Sequence, residues 1–241
     1  MRAVIVGSAG VDEAGEPETV ETPFGPALVH HLAGGLVVHR HGHPHRLLPH
    51  QVAWRANAWA LEQAGVRALM VTSSVGVMDP EVPLFEPMAV SDLVMLDNRL
   101  PDGSACTMWP SPSPEQAHLL SGKLLHPELS EWLGLKRSVS FLYVAGPRTK
   151  TPAENRLFGS WGLQVNSMSL APEVVLANEL GIPTCAVVVG HKRSSAEGPP
   201  STLDEIAASL DASRSAMRSL ARRFLTSAPQ PEPVCSLYRF S

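Results

Sequence analysis

Histidines are concentrated in one short stretch of this 241-residue chain. Seven of its ten histidines lie between His30 and His50. Four of the seven alternate along the chain: His39, His41, His43 and His45. Residues two apart share one face of an extended segment, so this spacing predicts a row of imidazoles that point the same way. Imidazole binds zinc when neutral, and beside an arginine it also suits a site for anions.

The motif around Arg40 favours an anion over a metal. A metallohydrolase motif of the HxHxDH kind needs an aspartate, and here Pro44 stands between His43 and His45. The chain also contains no HExxH. The planar guanidinium of Arg40 next to His41 offers a fork for phosphate oxygens. We therefore predict an anion site without metal, with exposed surface histidines as the alternative.

Composition restricts the class of protein. The net charge is −4 and 17% of the residues are charged, which disfavours nucleic acid as a partner because such proteins are usually basic. No apolar run approaches the roughly 20 residues that span a bilayer, so we expect no membrane partner. The widely spaced Cys106, Cys185 and Cys235 contain no CxxC, and a cytoplasmic location is expected. Only four lysines accompany 15 arginines, so each lysine position is informative.

Alternating apolar strands and amphipathic helices predict an α/β fold: a single domain with a mixed central sheet flanked by helices. The domain is expected to span residues 1–225, followed by a loose tail at 226–241. The Pro- and Ser-rich segment 100–114 is expected to be a long mobile loop. The patterns Thr151–Glu154 and Thr202–Glu205 are capping boxes that start helices.

Several polar segments follow predicted strands. The first strand, near residues 3–6, leads into Gly7–Gly10, and another leads into Val71–Gly76 with three hydroxyls. Gly146–Arg148 and Asn166–Glu173 lie between a strand and a helix. Ligands collect at the carboxyl ends of strands in open α/β sheets, so these segments are predicted to face a common ligand.

Taken in order, these segments resemble the purine nucleoside phosphorylase superfamily, in its methylthioadenosine phosphorylase-like branch. The resemblance covers nearly the whole chain, which is shorter than typical members around residues 100–135. The matching stretches are Gly7–Val11, Glu21–Gly25, Arg40–Gly42 with His45, Ala56–Leu61, Val71–Gly76, Gly146–Arg148 and Met168–Ala177.

The resemblance implies that inorganic phosphate attacks the anomeric carbon of a nucleoside, giving a free base and a sugar 1-phosphate. It implies a homotrimer with no cofactor, in which phosphate is the co-substrate. The phosphate-binding residues implied are Ser8, Arg40, His41, Ser73, Ser74 and Ser169. The family's threonine in the glycine loop is replaced by Ala9, beside Ser8.

The base end departs from the family. The nucleoside-binding positions implied are His45, Thr149, Lys150, Asn166, Met168, His191, Lys192 and Ser194. Thr149 replaces a stacking aromatic residue, and an ungapped count puts Lys192 where relatives have the acid that meets the base; a one-residue gap puts His191 there. Since an ammonium group only donates hydrogen bonds, we predict altered base specificity, with Lys192 and His41 as catalytic residues.

Three alternatives remain open from the sequence. Loss of the aromatic and acidic base contacts is also what a catalytically silent nucleoside- or phosphate-binding relative would show. Some members of the superfamily use water, so a nucleoside hydrolase is a further alternative, although Arg40, His41 and Ser169 favour phosphate. A metallohydrolase is the most distant alternative. Activity on the usual purines is left open.

Overall fold

The computed structural model describes residues 1–8, 15–112, 116–120, 122–194 and 202–240. Within these ranges the strands are β1 (Arg2–Val6), β2 (Glu16–Val20), β3 (Ala27–Leu32), β4 (Gly35–His39), β5 (Ala68–Val77), β6 (Pro87–Met95), β7 (Gln116–Leu120), β8 (Ser138–Tyr143), β9 (Val165–Ser167), β10 (Thr184–Arg193) and β11 (Ser236–Phe240). The α-helices are α1 (Trp54–Gln63), α2 (Pro127–Trp132), α3 (Pro152–Ser160), α4 (Ala171–Glu179) and α5 (Leu203–Ser227).

Nine of these strands form one mixed sheet in the order β10-β6-β8-β9-β5-β1-β4-β3-β2. Strand β5 also pairs in parallel with β10, so five strands close into a ring. At the centre of the sheet, parallel pairs join β4 to β1, β1 to β5 and β5 to β10. The carboxyl ends of these four strands therefore meet at one edge of the sheet. This arrangement confirms the predicted α/β fold with a mixed sheet.

Helices cover both faces of the sheet because strands buried on two sides need apolar partners on each. On one face, α1 and α4 pack with Ala60 and Val174 against the sheet. On the other face, α2 and α5 pack with Leu129 and Phe224. Both predicted capping boxes are present: Thr151 and Thr202 accept hydrogen bonds from the backbone of Glu154 and Glu205, which bond back.

Two segments are more ordered than their sequences indicate. The expected loose tail instead contains β11, which pairs with β7 along its whole length, because that pairing satisfies the backbone groups of both strands. In the expected mobile loop, Cys106 and Met108 are buried, and the Glu179 carboxylate accepts a hydrogen bond from the Met108 N–H at 2.6 Å. Among the described residues, no helix combines the length and apolar character required to cross a membrane.

Candidate active site

A cavity of about 650 Å³ opens at the carboxyl edge of the central strands. All the residues predicted to contact phosphate or nucleoside line it, together with Leu47, Leu48, Pro49, Gly76, Pro152, Asn155, Ser167 and Arg193. The structure thus brings these side chains to one place, while the role of each remains a prediction. Ala9 lies outside the described residues.

One end of the cavity, here called the anion cradle, consists of Ser8, Arg40, His41, Ser73, Ser74 and Ser169. Its Arg40 is completely buried against Glu173, a residue in the first turn of α4. The Arg40 Nε and Nη2 atoms each donate to a Glu173 carboxylate oxygen at 2.6 Å. A buried arginine needs a fixed counter-charge, and Glu173 therefore occupies the fork formed by Nε and Nη2. Binding of phosphate by Arg40 stays a prediction.

Arg40 nevertheless retains hydrogen bonds to offer. Its Nη1 atom donates to the Thr72 carbonyl oxygen at 2.9 Å, and a guanidinium has five N–H groups. One N–H on each terminal nitrogen is left without a partner among the described residues. A Cβ on Gly7 would lie 2.7 Å from Arg40 Nη1, so only glycine permits this close approach.

Serine hydroxyls form the rest of the donor set. Ser73 Oγ lies 3.0 Å from Ser167 Oγ and 3.2 Å from Ser169 Oγ. Ser74 Oγ is buried with no hydrogen-bond partner among the described residues. Ser169 also immediately precedes the N-terminal end of α4, where backbone N–H groups favour anions. These hydroxyls can rotate to donate to an anion.

His41 contributes an acceptor to the cradle. Its Nδ1 atom lies 2.8 Å from the Leu47 carbonyl oxygen, which can only accept, so Nδ1 carries the proton. Burial, with the nearby charge of Arg40, lowers the pKa of His41 to about 3. The ring is therefore neutral at physiological pH and its Nε2 accepts hydrogen bonds. His41 thus suits an anion that carries a hydroxyl, such as monohydrogen phosphate.

The alternating histidines do not share one face, because β4 ends at His39 and the chain then turns. The rings of His41 and His45 stack at 4.5 Å on the cavity. His39 and His43 pack together elsewhere, with centroids 4.8 Å apart, beside His30. Among the described residues, no group of three His, Cys, Asp or Glu side chains is placed to hold a metal ion.

The other end of the cavity, here called the cationic end, is formed by Lys150, Lys192 and Arg193. Burial, together with the charge of Lys192, lowers the pKa of Lys150 to about 8. Arg193 donates through Nη1 to the carbonyl oxygens of Asp79 and Val82. Among the described residues, no aspartate or glutamate lines the cavity.

A bulge in β10 explains why neighbouring residues share this cavity. The register with β5 shifts between Gly190 and Lys192, and such an extra residue redirects side chains that would otherwise alternate between faces. His191 and Lys192 therefore both line the cavity. The residue that an ungapped count predicts at the base and the residue that a one-residue gap predicts there are both present in the lining. Burial lowers the pKa of His191 to about 4, with a further contribution from Lys192.

The two ends are separated by a fixed length of strand. Lys192 pairs with Gly76 on β5, three residues beyond Ser73, which corresponds to about 10 Å at the usual rise of a strand. Asn166 is also paired with Gly76, and its Nδ2 atom is buried without a partner among the described residues. The cavity can therefore hold an anion at one end and a flat polar group at the other.

Sequence reasoning missed two residues of the site: Glu173, which lies behind Arg40, and Ser167, which lines the cavity. Glu173 lies in the Pro-Glu-Val-Val run that carries the resemblance, and an acid in the first turn of an apolar helix was the signal. Ser167 lies two residues before Ser169. Their hydroxyl groups both lie beside that of Ser73. Neither signal identifies its partner, because the partners come from distant parts of the chain.

Comparisons with known proteins agree with this geometry. A family model described as Phosphorylase superfamily matches residues 2–226. The chain is 30% identical to a probable 6-oxopurine nucleoside phosphorylase of Moorella thermoacetica, over 98% of this chain and 97% of that protein. It is 32% identical to an S-methyl-5'-thioadenosine phosphorylase of Pyrococcus abyssi over 74% of each chain. The structure of methylthioadenosine phosphorylase from Schistosoma mansoni with adenine has the same fold, with a TM-score of 0.79 and 19% identity over 93% of this chain and 90% of that one.

The two buried histidines predict an acid-sensitive fold. His41 and His191 have pKa values lowered from 6.5 to about 3 and about 4, so the unfolded chain binds more protons below pH 6.5. The free energy of unfolding should fall by at most about 1.4 kcal/mol per pH unit for each histidine between pH 6.5 and about 4. Urea unfolding at a series of pH values measures this slope.

A matched pair of variants separates this effect from general acid sensitivity. The double variant His41→Gln, His191→Gln should have a shallower slope, whereas His118→Gln, at an exposed position, should retain the original one. An unchanged slope in the double variant would contradict the assignment.

Removing the counter-charge of Arg40 should destabilise the protein strongly. Glu173→Gln leaves a buried guanidinium uncompensated, and we expect a loss of about 3–5 kcal/mol in the free energy of unfolding. Glu154→Gln is the control, because its partner Arg148 has a 67% exposed side chain and solvent-exposed ion pairs contribute little to stability. Equal losses in the two variants would show that burial of the Arg40 pair has no special importance.

Proposed function

Because the chain belongs to the phosphorylase superfamily, in its methylthioadenosine phosphorylase-like branch, we propose that it catalyses phosphorolysis of a purine nucleoside with altered base specificity. The observation that supports this most is the anion cradle, in which Arg40 and several serines line one end of the cavity, about 10 Å along β5 from a second polar end. A nucleoside between the two ends would have phosphate at its sugar and polar side chains at its base.

In the proposed reaction a phosphate oxygen forms a bond to the anomeric carbon as the bond to the base nitrogen breaks. The electron pair of that bond leaves with the base, and the sugar retains the phosphate. The cradle orients phosphate for attack on a carbon with oxocarbenium character. His41 Nε2 would accept a hydrogen bond from the hydroxyl group of monohydrogen phosphate, which keeps its proton, and would so fix which oxygens face the sugar.

The base would leave as an anion, and Lys192 is proposed to stabilise it. An ammonium group near the departing base compensates the charge that develops in the transition state. Met168 would pack against the ribose. His45, which lines the same cavity as the exposed Leu48, would lie at the 5' end. Thr149, Asn166, His191 and Ser194 would border the base. A homotrimer and a cytoplasmic location are part of this proposal, carried over from the resemblance and the cysteine pattern.

The names of the relatives support a purine nucleoside as the substrate. They specify different purines, however. The Moorella thermoacetica protein is named for 6-oxopurine nucleosides and the Pyrococcus abyssi protein for a 6-aminopurine nucleoside. In this chain the cavity lining includes ammonium groups and no described carboxylate that could accept from an amino group. We therefore propose that 6-oxopurine nucleosides are preferred over adenosine and methylthioadenosine.

Phosphate-dependent release of base tests the proposal. Inosine, adenosine and methylthioadenosine should be incubated with and without phosphate, with detection of base and sugar 1-phosphate. We expect release only with phosphate, and faster release from inosine. Lys192→Gln should lower kcat by about 10²-fold, whereas the exposed Lys136→Gln should not change it.

The contrary outcomes are distinct. Base release at equal rates without phosphate would indicate a hydrolase. Absence of release from all nucleosides, with phosphate still bound, would indicate a catalytically silent relative. Equal turnover of methylthioadenosine by the wild type and Lys192→Gln would contradict the role of Lys192.

A further inference from the structure

The cationic end contains more positive charge than the proposed reaction needs. Lys150 and Lys192 have no hydrogen-bond or ion-pair partner among the described residues, and each is only partly exposed. Glu154, the acid nearest to Lys150 in sequence, is occupied by both terminal nitrogens of Arg148 at 2.8 Å. Glu154 attracts Lys150 and raises its pKa in part, but burial and the charge of Lys192 have the larger combined effect. Partly buried charges gain from a nearby counter-charge, and an anionic ligand in the cavity would provide one.

The phosphate co-substrate does not supply this partner, because it belongs to the other end. The anion cradle already has its own donors around Ser73, and Lys192 pairs with Gly76 further along β5. Burial and the charge of Lys192 both lower the pKa of Lys150, which shows that the two ammonium groups act on each other. An anionic group beside both lysines would remove that repulsion.

The neighbouring polar atoms indicate that this group belongs to a base. Asn166 Nδ2 and His191 Nδ1 are buried and have no partner among the described residues. An amide and a ring nitrogen at fixed positions suit the edge of a flat heterocycle. A Cβ on Gly76 would meet the Ser194 side chain and lie 3.2 Å from Asn166 Oδ1, so a glycine at this position leaves room for both side chains.

We propose that the substrate is a nucleoside whose base carries a formal negative charge, as a carboxylate or an ionised oxo group, held between Lys150 and Lys192. This inference rests on the proposed function and specifies its substrate class. Hydrogen bonds to charged groups are stronger than neutral ones. The anionic base should therefore be preferred by about 10- to 100-fold over a neutral base of the same shape.

Matched ligands test the charge directly. The 9-ribosides of purine-6-carboxylate and purine-6-carboxamide differ only in an oxygen and an amino group, and xanthosine and inosine provide a second pair. Binding to the full chain should be measured by calorimetry without phosphate, so that no turnover occurs. At least one anionic member should bind about tenfold or more tighter than its neutral partner, and kcat/KM with phosphate should follow the same order.

Variants assign the preference to the lysine pair. Lys150→Gln and Lys192→Gln should each reduce the preference, and the double variant should abolish it, whereas Lys136→Gln should leave it unchanged. Folding of each variant is checked by its thermal midpoint and by its affinity for phosphate at the separate cradle.

Three results would overturn the inference. The first is equal affinity for the two members of both ligand pairs. The second is a preference for the anionic base that survives in the double variant. The third is binding of inosine 5'-monophosphate as tight as that of the anionic bases, which would place the recognised charge on the sugar side. If phosphorolysis of inosine proceeds while the pairs bind equally, the proposed function stands and only this inference fails. If anionic bases bind tightly but no nucleoside is cleaved, the inference stands and the proposed function fails.

Discussion

The buried ion pair between Arg40 and Glu173 is the interaction on which the rest of the site depends. It joins the loop after β4 to the first turn of α4, across 133 positions of sequence. Glu173 also accepts a hydrogen bond from the Leu170 backbone at 3.0 Å, so the same carboxylate fixes the start of α4. Because the pair is neutral, the cradle can be dry and rigid and still accept an anion through the remaining N–H groups of Arg40.

A neutral cradle also separates the two electrostatic functions of the cavity. The full positive charges of Lys150 and Lys192 stand at the cationic end, in a cavity that no described aspartate or glutamate lines. A protein with net charge −4 thus holds half of its four lysines in one cavity. Phosphate would be bound by shape and hydrogen bonds, whereas the base would be selected by charge. Specificity can therefore change at the base end without altering the cradle.

Much of this could be predicted from the sequence, and the failures have a common physical origin. The capping boxes at Thr151 and Thr202 and the strand β1 were recognised because their signals are local. The partner of Arg40 was not, since Glu173 reaches it only through the topology of the sheet. The row of histidines was misread for a related reason: alternation predicts one face only in an extended segment, and the chain turns after His39. The tail strand β11 depends on β7, which is also far away in sequence.

A crystal structure with bound phosphate tests the central claim most directly, namely that the neutral cradle holds the co-substrate and leaves the lysines for the base. A tetrahedral anion should lie within hydrogen-bond distance of Arg40, Ser73 and Ser169, with one oxygen on His41 Nε2, while Arg40 remains paired with Glu173. An anion found only between Lys150 and Lys192, with the cradle empty at saturating phosphate, would contradict it.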